Sequence, residues 1–299
     1  MRERLRSGID VSALALTRAG TARYVVNLLA ALQRLDELEL RPFRFARTGR
    51  AAKVARDALW YPVALPLAAR RERLDVLHCP TIRAPLRSPV PLVVTIHDVS
   101  PLRHPEAFNG WTRRYTALVL PRVARAAAAI VTASAFQRAE IVELLGAPAE
   151  RVRVIPYGVG DPFTADGPAA DGDYVLAVST LEPRKNLPRL VDAFRRARLD
   201  GCELRVVGAR GWGGVRLDSR DGVRWLGEVR DDELAALYRG ARCAAYVSLY
   251  EGFGLPVLEA MACGTPVVVP RGAPYDEFAD GTSVAVDPLD PGAIAAGLE

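Results

Sequence analysis

The sequence has few cysteines and no long apolar run, and each scarcity excludes a class of protein. Its four cysteines lie far apart, without the paired spacing of a zinc site or a disulfide framework, so we expect free thiols in a reducing compartment. No stretch approaches the roughly 20 apolar residues that a membrane span needs, and no apolar signal core follows the basic first residues. We therefore expect a cytoplasmic protein, either soluble or bound peripherally to the inner face of the cell membrane.

The basic residues are unusual in kind and in distribution. Only Lys53 and Lys185 are lysines among the 40 basic residues, and a lysine among so many arginines indicates a need for a compact ammonium group. Residues 1–165 carry a net charge of +11, whereas residues 166–299 carry −6. The basic half indicates an anionic partner, such as an anionic membrane surface, and it equally fits solvated arginines in an arginine-rich composition.

Short β-branched runs alternate with longer stretches rich in alanine and leucine, which is typical of βα units around a parallel sheet. At 299 residues, half of them hydrophobic, the chain is long enough for two such domains. The predicted strands are 5–10, 76–78, 92–96, 129–131, 152–155, 174–178, 203–207, 223–226, 243–247 and 267–269. The predicted helices are 22–35, 111–124, 135–145, 187–198, 231–239 and 256–263.

A stretch rich in glycine and proline separates the two series of elements. Residues 158–173 contain four glycines and two prolines and lack a hydrophobic period, which is typical of an interdomain linker. The predicted domains are residues 1–160 and 174–299, joined by a linker at 161–173. Residues 291–299 look like the start of a helix, so we expect the fold to continue beyond them.

The most informative segment runs from Ser248 to Val267. A predicted strand ends at Val247, a glycine-rich loop follows, and Pro256 suits the first turn of a helix that Gly264 ends. Open α/β sheets bind ligands at the carboxyl ends of their strands, and backbone N–H groups at a helix start attract phosphate. The loop is therefore a candidate binding site for a diphosphate.

Two carboxylates flank this loop. Glu251 lies within it, and Glu259 follows one turn into the predicted helix, on the side that faces the loop. Carboxylates so placed can bind hydroxyl groups at separate points of one extended ligand. Taken from the residues alone, the pair also fits a glycosidase dyad or ordinary surface charge.

The segment resembles the Glu-seven-residues-Glu motif of the retaining glycosyltransferases of family four. The resemblance implies an α/β fold of the GT-B architecture, with two Rossmann-like domains facing a central cleft. It also implies that Glu251 contacts the donor sugar near the reacting carbon and that Glu259 holds the ribose hydroxyls. The other loop residues that it assigns to donor binding are Gly252, Phe253, Gly254 and Leu255.

A second segment, residues 178–187, follows another predicted strand. Arg184 and Lys185 come just before a helix, within reach of an anion at the carboxyl edge of the sheet, although two solvated cations are the alternative. In the family a lysine at the matching position binds the diphosphate, which implies that role for Lys185 with Arg184 beside it. The family often has an arginine several residues earlier, where this chain has Ser179 and Thr180.

Fixed cations suit sugar transfer, because the leaving diphosphate gains negative charge as its bond to the sugar breaks. A metal ion can serve the same purpose, but the only Asp-x-Asp pair, Asp171 and Asp173, lies in the linker ahead of a strand. We expect a solubilising turn there. The prediction is a metal-independent enzyme without a cofactor, whose co-substrate is a nucleotide diphosphate sugar.

The first half carries candidate residues near two strand ends. The segment from Gly20 to Tyr24 lacks the GxGxxG fingerprint, which makes a nicotinamide-dependent oxidoreductase a distant alternative. It resembles the family's Gly-Ile-Gly-Arg-Tyr loop, which implies that Gly20 contacts the donor and that Arg23 and Tyr24 lie on the acceptor side. His97 ends an apolar strand, where family members carry a histidine near the donor sugar. A purely structural histidine is the alternative.

Further positions follow from the same resemblance. Asp98 is expected to orient His97 or an acceptor hydroxyl, and the segment with Gly227 and Val229 is expected beside the nucleobase. Gly208 belongs to another donor-side segment. The resemblance spans residues 8–287, and it is strongest after Tyr174 and thinnest between Arg41 and Arg73. Tyr157 stands where the family usually has asparagine, and no role is predicted for it.

The region of weakest resemblance, between Arg41 and Arg73, interleaves arginines with aromatic residues. Three interpretations fit this composition: a segment at a lipid interface, a mobile loop that binds the acceptor, or a helix with an ordinary solvated face. The residues alone do not choose among them.

The predicted function is retaining, metal-independent transfer of a hexose to a glycan or lipid-linked acceptor, with no nucleic acid as a partner. The Glu-Pro-Arg-Lys-Asn form of residues 182–186 resembles mannosyltransferases of polysaccharide biosynthesis, which favours mannose from GDP-mannose. Two alternatives stay open, a nucleotide-sugar epimerase of the same architecture and a truncated, non-catalytic nucleotide-sugar-binding protein.

Overall fold

Two six-stranded parallel sheets, each covered by helices, make up the computed structural model, which describes residues 4–15, 20–47, 49–217, 222–272 and 274–299. The chain divides into unit 1, residues 1–157, and unit 2, residues 158–299, with one sheet in each. Each unit is an α/β fold with parallel strands joined by crossovers. The predicted class of two Rossmann-like domains is thereby confirmed.

Unit 1 follows the predicted alternation of strands and helices in most places. Its strands are β1 (Leu5–Asp10), β2 (Leu38–Phe43), β3 (Val76–Cys79), β4 (Leu92–Thr95), β5 (Ala129–Thr132) and β6 (Val152–Val154). Its helices are α1 (Gly20–Leu32), α2 (Arg50–Ala55), α3 (Leu65–Arg71), α4 (Ser100–Arg103), α5 (Gly110–Leu118), α6 (Leu120–Ala126) and α7 (Ala135–Leu145). The strand order across the sheet is β2-β1-β3-β4-β5-β6.

Unit 2 repeats the plan after a stretch, residues 158–173, without a helix or strand. Its strands are β7 (Tyr174–Val178), β8 (Glu203–Val207), β9 (Val223–Gly227), β10 (Cys243–Ala245), β11 (Val267–Pro270) and β12 (Val284–Val286). Its helices are α8 (Leu187–Arg196), α9 (Asp231–Gly240), α10 (Leu255–Ala262) and α11 (Pro291–Leu298). The strand order is β12-β11-β10-β7-β8-β9, so the direction of winding reverses beside β7.

Hydrophobic strands buried on both faces explain why unit 2 was the easier half to predict. In β7, Val175 and Ala177 belong to one core cluster, whereas Tyr174 and Leu176 belong to the cluster on the opposite face. A parallel strand covered on both sides is apolar throughout, and that is the pattern of this segment. Its bounds match the predicted ones.

Two strands, β2 and β12, were missed by the sequence analysis, and both lie at an edge of a sheet. Strand β2 carries two charged residues, Glu39 and Arg41, among its apolar residues and contains Pro42, which has no N–H to donate. Strand β12 is only three residues long, and two of them are exposed. Edge strands have one neighbour and partial burial, so they lack the apolar run that identifies an inner strand.

The region between Arg50 and Arg71 is helical throughout, which disfavours the loop among the three interpretations of this segment. Residues 56–64, between α2 and α3, form π-helical turns that contain Pro62. Proline lacks the N–H that an α-helix needs at this point, and a wider turn is a common accommodation. The helix predicted over 111–124 is likewise divided into α5 and α6, with Pro121 at the start of α6.

Local signals fix several helix ends as the sequence predicts. Helix α7 begins where the Ser134 side chain accepts a hydrogen bond from the backbone N–H of Gln137, 3.0 Å away. It ends at Gly146, whose φ of 62° is the left-handed conformation of a helix C-cap. None of the helices in the described part of the chain combines the length and the apolar character needed to span a bilayer.

Gly240, the last residue of α9, offers a test of the packing in unit 2. A Cβ at this position would lie 2.1 Å from the carbonyl oxygen of Ala170 and 2.7 Å from the Tyr174 hydroxyl. Helix propensity alone favours alanine over glycine by about 1 kcal/mol. The added Cβ forces the backbone to shift, and the cost of this shift should exceed the gain in helix propensity. We therefore expect Gly240→Ala to lower the free energy of unfolding by about 2 kcal/mol, measured by urea denaturation.

Gly110→Ala is the control, because this glycine is also a terminal residue of a helix, the first of α5, and no atom lies within 4 Å of its added Cβ. We expect that variant to keep the stability of the unchanged protein. Equal effects of the two substitutions would show that the close approach at Gly240 does not limit stability.

Candidate active site

The candidate site of unit 2 lies where the strand order reverses. Strands β7 and β10 are neighbours, and the chain leaves β7 toward β8 on one side while β10 and β11 lie on the other. Loops that leave the carboxyl ends of such strands diverge and open a crevice, which is the usual ligand site of an open α/β sheet. The loop after β7 carries Arg184 and Lys185, and the loop after β10 carries Glu251.

The structure brings these three side chains into direct contact. Glu251 Oε1 accepts from Lys185 Nζ at 2.5 Å and from Arg184 Nη1 at 2.8 Å. The same arginine donates from Nη2 to Glu182 Oε1 at 2.7 Å. All four side chains are nearly buried, with between 2% and 11% of the side-chain surface exposed. The ion pairs therefore form in a largely water-excluded setting.

The charges in this cluster stabilise one another. Burial raises the pKa of Glu251, but Lys185 and Arg184 outweigh this effect and hold it below its ordinary value of 4.5. Burial lowers the pKa of Lys185, and the carboxylate of Glu251 in turn holds it above its ordinary value. Burial also raises the pKa of Glu182, against the opposing effect of Arg184. Lys185 and Glu251 are thus both charged at neutral pH.

Three residues that the sequence analysis assigned no role complete this cluster. Tyr246, just past β10, accepts a hydrogen bond from Lys185 Nζ at 2.7 Å, and burial raises its pKa to about 12, so its hydroxyl stays protonated. Glu182 anchors Arg184. Asn186 has a φ of 59° and donates to the carbonyl oxygens of Val247 and Pro288. This amide ties the loop after β7 to the end of β10.

The glycine loop ends at α10 in the way the sequence predicts. Gly254 is the N-cap residue, with a φ of 99° that few side chains tolerate, and its Cβ would lie 2.7 Å from the ring of Tyr275. Phe253 stacks on Phe278, with ring centroids 4.7 Å apart, and Gly252 is buried beside it. Leu255 is the first helical residue. The loop thus leads directly from Glu251 into the start of α10.

Glu259 lies apart from the ion-pair cluster. It is 1% exposed, and its Oε2 accepts from the hydroxyl of Tyr238, on α9, at 3.4 Å. The sequence analysis predicted that Glu259 lies on the loop-facing side of α10. Its hydrogen bond with Tyr238 shows that its side chain also contacts α9. Its assignment to the ribose hydroxyls stays a prediction.

Two of the donor-side glycines lie together at the ends of β8 and β9. The backbone N–H of Gly208 donates to the carbonyl oxygen of Gly227 at 2.8 Å. An added Cβ on Gly208 would lie 2.1 Å from the carbonyl oxygen of Ser179, so only glycine lets the loops after β7 and β8 approach this closely. Val229 packs partly buried against the core of unit 2. Their contact with a nucleotide stays a prediction.

In unit 1, the structure gathers Tyr24 and His97 with neighbours on the strand ends. The hydroxyl of Tyr24 lies 3.3 Å from Thr95 Oγ1, which also lies 2.8 Å from Nε2 of His78. The ring of Tyr24 meets that of His97 edge-on, with centroids 4.9 Å apart. Burial and the neighbouring His97 lower the pKa of His78 to about 4. His78, to which the sequence analysis gave no role, is therefore neutral and structural.

His97 is held on both sides of its ring. Nε2 lies 3.1 Å from the carbonyl oxygen of Pro80, and Nδ1 forms a hydrogen bond with the hydroxyl of Tyr157. Burial lowers the pKa of His97, despite the opposing effects of Pro80 and Asp98. A histidine so buried at neutral pH is uncharged.

The remaining predicted residues of unit 1 lie near these strand ends. Asp98 Oδ1 accepts from the backbone N–H of Ser100 at 3.0 Å and from its hydroxyl at 2.5 Å, so it fixes the turn that opens α4. Gly20 is the exposed first residue of α1, and Arg23 is half-buried on the same helix. Both residues thus lie in the first turn of α1, and their contact with a donor or an acceptor stays a prediction.

The Asp171-Gly-Asp173 turn is engaged in contacts within unit 2. Asp173 pairs with Arg242 at 2.7 Å, and Arg205 donates to the carbonyl oxygen of Asp171. Both aspartates are exposed. This arrangement is that of a surface turn held by arginines.

The ion-pair cluster predicts how stability depends on pH. Because the folded pKa of Glu251 is lowered, its carboxylate stabilises the fold fully above pH 4.5 and loses this effect as the pH falls through the folded pKa. We expect Glu251→Gln, which leaves two cations without this partner, to lower the free energy of unfolding at pH 7 by about 3 kcal/mol.

Urea denaturation at pH 7 and at successively lower pH below 4.5 measures the difference between the two proteins. We expect the difference to shrink as Glu251 becomes protonated in the unchanged protein. A difference that stays constant over this range would mean that the charge of Glu251 is not what stabilises the cluster.

Family models of known proteins match both units of the chain. The model of Glycosyltransferase Family 4 matches residues 6–161, and that of Glycosyl transferases group 1 matches residues 172–299. The O-antigen chain mannosyltransferase B of Escherichia coli is 35% identical over 68% of this chain and 59% of the relative. The MMP alpha-(1->4)-mannosyltransferase of Mycolicibacterium hassiacum is 31% identical over 71% of this chain and 57% of the relative. The chain thus spans less than two thirds of the length of these relatives.

A solved structure supports the fold over the whole chain. Sucrose-phosphate synthase from Thermosynechococcus elongatus superposes with a TM-score of 0.77, at 18% identity, over 99% of this chain and 89% of that protein. At such low identity this likeness concerns the fold alone. With the family models and the 35% identical relative, the conclusion is that this chain belongs to the group 1 glycosyltransferases of family 4.

Proposed function

We propose that this chain transfers a hexose from a nucleotide diphosphate sugar to a glycan or lipid-linked acceptor, with retention of configuration and without a metal ion. The observation that carries the proposal is the placement of Arg184 and Lys185 against the glycine loop at the reversal point of the unit 2 sheet. Two cations in contact with the loop that leads into the N-terminus of α10, where the helix dipole favours negative charge, are suited to hold a diphosphate.

Transfer requires little from side chains beyond charge and position. The bond from the anomeric carbon to the diphosphate oxygen breaks, and a bond from that carbon to the acceptor oxygen forms on the same face. The proton of the acceptor hydroxyl passes to the departing diphosphate oxygen. Lys185 and Arg184 would stabilise the negative charge that builds on this oxygen, which is the role that a metal ion plays elsewhere.

Glu251 acts in this scheme as the group that exchanges partners. In the free protein its carboxylate neutralises both cations. A bound diphosphate would take over Lys185 and Arg184, which leaves the carboxylate to accept hydrogen bonds from sugar hydroxyls beside the reacting carbon. Glu259 is proposed to hold the ribose, and His97 to lie near the sugar.

The proposed donor is GDP-mannose and the proposed place of action is the cytoplasm. Mannose transfer is what the names of both relatives state of those proteins, and the sequence form of residues 182–186 favours the same sugar. The free cysteines, all buried, suit a reducing compartment.

Nucleotide binding by calorimetry tests the site. We expect one of GDP, UDP and ADP to bind in the presence of a chelator, with GDP as the proposed nucleotide. Lys185→Ala should weaken that binding by about 10- to 100-fold and lower turnover with it, since a charge-assisted hydrogen bond contributes about 1.5–3 kcal/mol.

Arg196→Ala is the control, because Arg196 is an exposed cation of the same unit, paired only with the neighbouring Asp192 in a surface contact. We expect it to bind and react as the unchanged protein does. Unchanged binding in Lys185→Ala, or binding that requires a divalent cation, would refute the proposed phosphate site.

We further propose that unit 1 docks on an anionic membrane surface through one face of the helix from Arg50 to Arg71. Leu59, Val63 and Leu67 follow one another at intervals of four, and they are 61%, 49% and 61% exposed. Residues at this spacing share one face of a helix, so the three form an apolar stripe that faces water. The arginines of the last turn, including Arg70, end the stripe.

Helix α5 contacts the same helix and exposes residues of the same kinds. Trp111 Nε1 donates to Asp57 Oδ2 at 2.9 Å, which fixes the start of α5 against the longer helix. Trp111, Arg114 and Leu118 are exposed at helical spacing, so α5 presents an aromatic residue, a cation and an aliphatic residue together. Asp57 is buried between Arg56 and Arg83, so its carboxylate does not oppose an anionic surface. Apolar and basic groups side by side suit a lipid interface.

Sedimentation with vesicles tests this surface. We expect the protein to bind vesicles of phosphatidylcholine with phosphatidylglycerol better than vesicles of phosphatidylcholine alone. The double variant Leu59→Ser/Leu67→Ser should bind about 10-fold more weakly, because it removes two of the three apolar side chains that would enter the interface.

Leu289→Ser is the matched control, since this leucine is 63% exposed but lies in unit 2. We expect it to leave vesicle binding unchanged. Equal losses in the two variants, or no preference for anionic vesicles, would contradict the assignment of this surface.

A further inference from the structure

Both ring nitrogens of His97 have partners of known hydrogen-bonding character. The partner of Nε2 is the carbonyl oxygen of Pro80, 3.1 Å away, and the partner of Nδ1 is the hydroxyl of Tyr157. A carbonyl oxygen only accepts, so Nε2 must carry the proton. In the neutral ring Nδ1 then accepts, and the Tyr157 hydroxyl donates to it.

The surroundings of the ring favour the neutral form. Burial lowers the pKa of His97, and the neighbouring His78, on strand β3, adds no charge because burial and His97 lower its own pKa to about 4. Asp98 is the one group in the described contacts that opposes this effect by its charge. Tyr24, from α1, packs edge-on against the ring, and burial raises the pKa of both Tyr24 and Tyr157, so these hydroxyls stay protonated.

We propose that Tyr157 is a positioning residue that, together with the Pro80 carbonyl, holds His97 as a neutral ring protonated on Nε2 and in one orientation. A flipped ring would present carbon atoms to both partners, so the two hydrogen bonds distinguish the two ring orientations. The link to catalysis rests on the proposed function, in which His97 lies near the donor sugar. The sequence analysis predicted no role for Tyr157, which stands where the family usually has asparagine.

The arrangement changes what His97 can do. With Nε2–H bound to a carbonyl and Nδ1 bound to a hydroxyl, neither nitrogen is available to exchange a proton with substrate. His97 therefore serves as a fixed, uncharged surface and not as a general acid or base. Tyr157 is also the last residue of unit 1, so unit 2 begins directly after the residue that makes this hydrogen bond.

Nuclear magnetic resonance tests the hydrogen bonds without any assay of activity. The chain has only three histidines, so ¹⁵N-labelled histidine gives a simple spectrum that the variants His104→Gln and His97→Gln assign. At pH 7 we expect His97 to be neutral, with a protonated Nε2 and a hydrogen-bonded Nδ1. In Tyr157→Phe the Nδ1 resonance should move toward that of an unbonded nitrogen, and the pKa of His97 should rise.

Tyr174→Phe is the control for loss of a buried tyrosine hydroxyl, because Tyr174 donates to the carbonyl oxygen of Leu237 at 2.7 Å in unit 2. We expect that variant to leave the His97 resonances unchanged. A charged or Nδ1-protonated His97 in the unchanged protein, or an Nδ1 resonance that Tyr157→Phe does not move, would overturn the proposal.

Kinetics then separates positioning from the proposed function. We expect Tyr157→Phe to lower kcat by about 10-fold, as is typical when the partner of an active-site histidine is removed, with the KM for donor within about twofold. Because the pKa of His97 should rise in this variant, its kcat should also fall as the pH drops from 7 toward 6. We expect no such fall in the unchanged protein. If Tyr157→Phe alters the resonances but not the kinetics, the hydrogen bonds of His97 are confirmed, and a role of His97 in the reaction is refuted.

Discussion

The pairing of Glu251 with Lys185 and Arg184 is the contact on which the organisation of unit 2 depends. It joins the loops that leave β7 and β10, the two strands at which the winding of the sheet reverses. Charges this deeply buried persist only when each has a partner of opposite sign and good geometry. The same pairing satisfies these charges in the free protein, and in the proposed function a bound diphosphate takes the place of the carboxylate.

Small backbone features make that pairing geometrically available. Asn186, in a left-handed conformation, ties the loop after β7 to the carbonyl oxygens of Val247 and Pro288. Gly208 lets the next loop approach the carbonyl of Ser179 more closely than any side chain would allow. Gly254 turns the chain into α10. These three residues shape the backbone of the unit 2 site, while Arg184, Lys185 and Glu251 supply its charges.

Unit 1 uses neutral polar groups where unit 2 uses charges. His78, Thr95 and Tyr24 form one hydrogen-bonded line at the strand ends, and His97 with Tyr157 forms a second beside it. Burial keeps the histidines uncharged, so these groups define orientation more than they contribute charge. The net positive charge of unit 1 comes from arginines outside this group of side chains. Exposed apolar residues accompany several of them on the outer helices.

The sequence by itself determined the α/β class, the inner strands and the two loops with Arg184, Lys185 and Glu251. Those inferences succeed because buried parallel strands are apolar runs and because helix starts and ends carry local signals. Edge strands β2 and β12, the π-helical turns at Pro62 and the partners Glu182, Tyr246 and Tyr157 emerged only in the tertiary structure. Each depends on contacts between segments distant in the chain, and no local pattern records which side chains a fold will bring together.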